Sequence, residues 1–318
     1  MASATPFGRD EIARCQKVFE ANYSGFIRRT PLWKLTGAAL GVNCAEVWLK
    51  LEHLQTGGSF KARGMLNRLL SGPIPASGVI VASGGNAGIA TAAAAQLLGV
   101  RCEVFVPEVS SLAKRARIAG LGAQVVVGGA AYADALQACL ARQQVTGALL
   151  THAYDQAEAL VGAGTLALEI EQQGGLPHAV LVSVGGGGLI GGVASWFGQR
   201  CRVVALEPEL APALFRARQA GRPVDVEVGG MAADSLGARR IGTLGWNATQ
   251  ANVRDALLLP EKSIRDAQRW LWQSLQLAVE PAAALPLAAL HAGAWPVGQN
   301  DKVCLILCGA NLDPASLN

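Results

Sequence analysis

Histidine, aromatic side chains and charge are all scarce in this 318-residue chain. The four histidines, His53, His152, His178 and His291, have no zinc-ligand spacing, which excludes a histidine-based metal centre. Aromatic residues make up 5% and so provide few platforms for stacking nucleic-acid bases, while the net charge of +4 is modest for this length. Lys114, Arg115 and Arg117 form the densest basic run. On a helix they read as a solvated face rather than a nucleic-acid patch. The seven cysteines are odd in number and lack C-x-x-C spacing, so they read as reduced thiols of a cytosolic protein. No uninterrupted apolar run of about 18 residues occurs, which excludes a membrane-spanning helix. The first residues, with Arg9, Asp10, Glu11 and Arg14, lack the apolar core of a signal peptide, and a cytoplasmic location is expected.

What the chain does have is apolar bulk and glycine. Hydrophobic residues make up 51% of it and glycines number 38, enough for a large core divided between two lobes. After an N-terminal helix within residues 1–30 and the turn Thr30-Pro31-Leu32, short apolar runs alternate with helical segments. Runs at Glu46–Leu51, Val79–Ala82, Cys102–Val106, Gln124–Val127 and Ala148–Thr151 predict strands, with helices at Ala87–Leu98, Ser111–Ala119 and Tyr132–Arg142. A second alternation has helices at Gln156–Gln172 and Leu189–Phe197 and strands at Ala179–Val184, Arg202–Leu206 and Val303–Leu307. Ile264, Ala267, Leu271, Leu275 and Ala278 recur at helical spacing and predict a helix over Glu261–Val279. The pattern is that of an α/β fold, two-lobed, with parallel sheets covered by helices on both faces. No linker separates the lobes, which we expect to interleave as residues 1–50 with 151–318 and a smaller 51–150 domain.

Three glycine-rich turns stand at strand ends. Gly57-Gly58-Ser59-Phe60-Lys61-Ala62-Arg63-Gly64 follows the first run, with Ser59 as the expected N-cap of a helix carrying Met65, Leu66 and Leu69. Most lysines at a helix start are solvated, but one held against apolar neighbours loses its proton near neutral pH and becomes a nucleophile toward a carbonyl. Ser83-Gly84-Gly85-Asn86-Ala87-Gly88 follows Gly78–Ala82, and Gly185-Gly186-Gly187-Gly188-Leu189 follows Ala179–Val184. Each of these two opens a helix and leaves backbone N–H groups free to bind an anion such as phosphate. One such turn is ordinary packing chemistry. A lysine and two anion cradles at the C-terminal ends of parallel strands point to a single ligand cleft, and Cys308 falls at the same edge.

Together with Glu280-Pro281-Ala282 and Cys308-Gly309-Ala310-Asn311, these stretches resemble in kind and order the fold-type II pyridoxal-phosphate enzymes, and among them the serine/threonine dehydratases. The resemblance runs from about Thr30 to Asn311 and implies a fold like the tryptophan synthase β subunit. It also implies that Lys61 holds pyridoxal 5'-phosphate as an internal Schiff base, that Phe60 packs beside the pyridine ring and that Asn86 bonds the 3-hydroxyl. The amides of Gly185, Gly186, Gly187, Gly188 and Leu189 would hold the phosphate, and Cys308 would sit by the pyridine nitrogen. Ser83, Gly84, Gly85, Asn86 and Ala87 would bind the substrate carboxylate. Lys61, displaced by substrate, is then the base at Cα, and Ser59 or the cofactor phosphate protonates the leaving hydroxyl.

The implied reaction is dehydration and deamination of a β-hydroxy-L-amino acid, L-serine or L-threonine, to a 2-oxo acid and ammonia, in a homodimer. Two alternatives stand beside it: an amino-acid racemase, and a dehydratase for a bulkier substrate such as phenylserine. Gly84 stands where related serine racemases carry a second serine, which disfavours racemisation, and Ala87 resembles serine dehydratases. Glu207 matches an acidic cation ligand of the family, with carbonyls of Ala211, Leu236 and Ala238 as partners; it reads equally as a glutamate that merely follows a strand. Ala213 supplies no carboxylate there, which favours K+ over magnesium.

Overall fold

The structure, a computed structural model, describes residues 7–317. Helix α1 (Arg9–Asn22) leads into strands β1 (Leu32–Thr36) and β2 (Glu46–Lys50) and helix α2 (Lys61–Leu70). Next come β3 (Val79–Ala82), α3 (Asn86–Leu98), β4 (Cys102–Val106), α4 (Leu112–Gly120), β5 (Gln124–Val127), α5 (Tyr132–Thr146) and β6 (Leu149–Thr151) in strict alternation. They are followed by α6 (Ala157–Gly174), β7 (Ala179–Ser183), α7 (Gly188–Phe197), β8 (Arg202–Pro208), α8 (Ala213–Ala220), α9 (Ala233–Leu236) and α10 (Thr243–Asn252). Last are β9 (Val253–Leu259), α11 (Glu261–Leu275), α12 (Pro281–His291) and β10 (Lys302–Ile306).

Two sheets result. One has six strands in the order β1-β2-β10-β7-β8-β9, parallel except that β1 runs against β2; the other is parallel, in the order β5-β4-β3-β6. Burial follows position. The inner strands β3 and β7 are buried at every residue, while the edge strands β1 and β5 have none buried. That is why inner strands read as unbroken apolar runs and why β1, which is neither an apolar run nor a strict alternation, escaped the sequence reading. All seven cysteines are free and buried, and no described helix is long and apolar enough to cross a membrane.

Two local expectations need correction. The helix expected over Glu261–Val279 stops at Leu275, because Gln276 adopts a left-handed φ of 55° and turns the chain back. Gln268 Nε2 donates to the carbonyl of Val279 at 2.8 Å and holds that return, which delivers Glu280 to the strand ends. Ser59 does not cap α2. Phe60 takes the N-cap position, and Ser59 lies in extended backbone with its hydroxyl unpartnered.

A buried ionic cluster anchors α2 from behind. The Arg63 guanidinium binds Glu52 through Nε (2.9 Å) and Nη2 (2.8 Å), and Glu169 through Nη1 (2.8 Å) and Nη2 (2.9 Å). Lys50 Nζ reaches the same Glu169 at 2.7 Å. The four side chains are 0–1% exposed. Two cations balance two carboxylates, and Thr30, Thr165 and Gln173 meet their remaining hydrogen-bonding capacity. Arg63 is two residues beyond Lys61, so the cluster ties the lysine's helix to β2 and α6.

Candidate active site

Lys61 Nζ donates to the carbonyl of Ala153 at 2.7 Å and lies 4.9 Å from the centre of the Phe60 ring. Burial drives its pKa down to about 8, against the opposing pull of Cys308 and Glu280. The amine therefore reaches its nucleophilic form close to neutral pH. The Ala153 carbonyl is held in place by a tied loop. His152 Nδ1 accepts from the N–H groups of Tyr154 (3.3 Å) and Asp155 (3.0 Å), and the Asp155 carboxylate accepts from those of Thr243 and Leu244 at the start of α10.

Tyr154, next in that loop, packs on the tetraglycine turn. A Cβ on Gly186 would come within 2.3 Å of the Tyr154 ring, and Gly187 has a φ of 90°, a conformation that side chains resist. Helix α7 starts at once, with Gly187 as N-cap and no side-chain cap, so its first amides are free for an anion. Helix α3 begins the same way, with Gly85 as N-cap and no side chain bonding its first turn. Both helices thus begin without a side-chain cap directly after a strand and its glycine turn.

The third wall is the end of β10. Phe60 N–H donates to the Cys308 carbonyl at 3.0 Å, and Ser59 pairs with Gly309 in an antiparallel bridge. The Ser59 hydroxyl, on a residue 1% exposed, has no partner. Burial pushes the Cys308 thiol well above its usual range, so it stays neutral at physiological pH. Glu280, 4% exposed, accepts from Asn86 Nδ2 at 3.0 Å on each carboxylate oxygen, and burial raises its pKa to about 7.

The family model described as "Pyridoxal-phosphate dependent enzyme" matches residues 23–309. The chain belongs to this family. It is 32% identical to the L-threonine ammonia-lyase of Thermotoga maritima, over 86% of this chain and 69% of that protein. It is 33% identical to the phenylserine dehydratase of Ralstonia pickettii, over 93% and 92% of the two chains. The structure of maize serine racemase superposes with a TM-score of 0.89 at 27% identity, covering 98% of this chain and 95% of that one. Fold-type II architecture and pyridoxal phosphate as cofactor follow from these matches.

The residues present fit that cofactor. A lysine poised near neutrality, an unpartnered buried hydroxyl and an uncapped glycine-walled helix N-terminus are the chemistry that an aldehyde bearing a phosphate requires. Lys61 would hold the aldehyde carbon, and the amides of Gly185 to Leu189 the phosphate. Covalent loading of cofactor-free protein is therefore expected to quicken about tenfold from pH 6 to pH 7 and level off above about 8, as the neutral amine fills. Borohydride trapping at timed intervals measures it; a rate still climbing past pH 10 would describe an ordinary solvated lysine.

Three side-chain roles were not legible in sequence. Glu280 was noticed only as part of a motif, although a carboxylate placed directly before α12, buried and apolar from Ala282 to Leu290, has few polar groups to meet except those in the cleft. Tyr154 carried no signal. The α4 cations lie on an exposed or half-exposed face, as expected, yet each has an acceptor that the sequence did not show: Lys114 pairs with Asp234 on α9, Arg115 donates to the carbonyls of Pro107 and Glu108, and Arg117 donates to Asn311. As for a cation, both oxygens of Glu207 accept backbone N–H groups, from Leu214 and Phe215 at 2.8 Å, so this carboxylate caps α8. Ala211 lies in the β8–α8 turn, and Leu236 packs beside Gly185. Among the described residues no three His, Cys, Asp or Glu side chains cluster as metal ligands.

Proposed function

We propose that the chain is an ammonia-lyase that dehydrates and deaminates a β-hydroxy-L-amino acid, with L-threonine or L-serine as first substrates, working in the cytoplasm as a homodimer. The bound cofactor supplies the electron sink that makes loss of the Cα proton feasible. The uncapped start of α3, with Ser83 to Ala87, holds the substrate carboxylate. Lys61 takes the proton from Cα, its pKa matched to that task. Ser59 gives its proton to the departing β-oxygen, so that the hydroxyl leaves as water. Buried free thiols accord with a reducing compartment.

The observation that carries this reading is the buried, unpartnered Ser59 hydroxyl two residues before Lys61, a proton donor on the same short segment as the base. The racemase reading has one point in its favour: Ser110 Oγ lies 2.6 Å from where a Gly84 Cβ would stand, and so brings a hydroxyl near the carboxylate turn. A panel of L-threonine, L-serine and L-phenylserine, assayed for oxo acid, ammonia and enantiomer, separates the readings. Oxo acid and ammonia in equal amounts are expected with at least one member. D-serine in excess of pyruvate would make the enzyme a racemase.

A further inference from the structure

We infer that Arg117 is a positioning residue that holds the Asn86 amide as a hydrogen-bond donor toward the cofactor, acting through Asn311. The inference rests on the cofactor reading above. Arg117 stands on the exposed side of α4, and its Nη1 donates to Asn311 Oδ1. A guanidinium has donors only, so the oxygen end of Asn311 must face it. The nitrogen end of Asn311 then donates to Asn86 Oδ1 at 2.6 Å and to the Gly57 carbonyl at 2.8 Å. Asn86 Oδ1 is thereby an acceptor, and Asn86 Nδ2 must be the end that meets the Glu280 carboxylate.

Every link of this relay runs one way, from a cation that only donates, through two amides, to the carboxylate oxygens of Glu280. The second hydrogen on Asn86 Nδ2 is what remains for an acceptor oxygen on the cofactor. Gly57 and Glu280 pull the two amides in the same sense, so Arg117 does not choose the orientation alone. It holds Asn311 against the glycine turn: a Cβ on Gly58 would lie 2.6 Å from Asn311 Oδ1 and 3.4 Å from Arg117 Nη2, so the turn leaves the space the relay occupies. Arg117 has no carboxylate partner among the described residues, so this amide oxygen is its one assigned acceptor.

The experiment strips the cofactor, titrates pyridoxal phosphate back and records both the dissociation constant and the absorbance maximum of the bound form. Arg117→Met, at an exposed position that leaves the fold intact, should bind about tenfold more weakly, with a displaced maximum. Arg117→Lys, which keeps a donor-only cation, should recover to within about threefold. In an Asn311→Ala background, Arg117→Met should change binding by less than about twofold, since its route is already cut. Unchanged affinity and spectrum in Arg117→Met, or an undiminished effect without Asn311, would overturn the relay. Failure of the unmodified protein to take up pyridoxal phosphate would instead overturn the cofactor reading, and the relay with it.

Discussion

Lys61→Ala protein is expected to form no borohydride-trapped adduct with pyridoxal phosphate and to lose at least about 10³-fold in turnover. Two functions disappear with one amine: the nucleophile that carries the cofactor and the base at Cα, the second alone contributing about 10²–10⁴-fold. The substitution should not unfold the protein. The lysine already sits where burial disfavours its charge, and only the Ala153 carbonyl loses a donor. Non-covalent uptake of pyridoxal phosphate should survive, weakened, because the α7 N-terminus and its glycine turn do not involve Lys61. Absorbance, mass spectrometry after borohydride and a thermal melt together check the result. A trapped adduct on another lysine, or turnover close to that of the unmodified enzyme, would remove Lys61 from the mechanism.

Arg63→Met should cost about 3–5 kcal/mol of stability, the effect of breaking a buried ion pair from one side. Without the guanidinium, Glu52 keeps Thr30 as a side-chain donor, Glu169 keeps Lys50, and one negative charge is left uncompensated in a region 0–1% exposed. Arg63→Lys should lie between, since an ammonium is a point donor and cannot fork to both carboxylates. Urea denaturation followed by tryptophan fluorescence measures the difference. A loss below about 1 kcal/mol for Arg63→Met would show that the cluster is dispensable. Cofactor affinity should fall in parallel, because α2 carries Lys61 two residues before Arg63.

Much of the fold was legible because parallel inner strands are buried on both faces and therefore announce themselves as apolar runs. The inner strands β3 and β4 match their expected bounds, as does the edge strand β5, whose Val125–Val127 run is apolar though not buried, while α11 overran because nothing local marks Gln276 for a left-handed turn. β1 and β9 went unseen because charged residues interrupt them, Lys34 in β1 and Arg254 and Asp255 in β9, and neither is an apolar run along its whole length. The glycine turns could be recognised because anion cradles need adjacent residues. Glu280, Asn311 and Arg117 could not be connected to Asn86, from which they stand 194, 225 and 31 positions apart in Glu280's, Asn311's and Arg117's own cases.

Sequence alone determined the strand–helix alternation and the glycine turns that open α3 and α7, since each is set by residues close together in the chain. Only the tertiary structure decided that Ser59 is left unpartnered, that burial lowers the Lys61 pKa to about 8, and that Arg117 on α4 meets Asn311. Those properties come from desolvation and from donors meeting acceptors across distant segments, which exist only once the two sheets have packed.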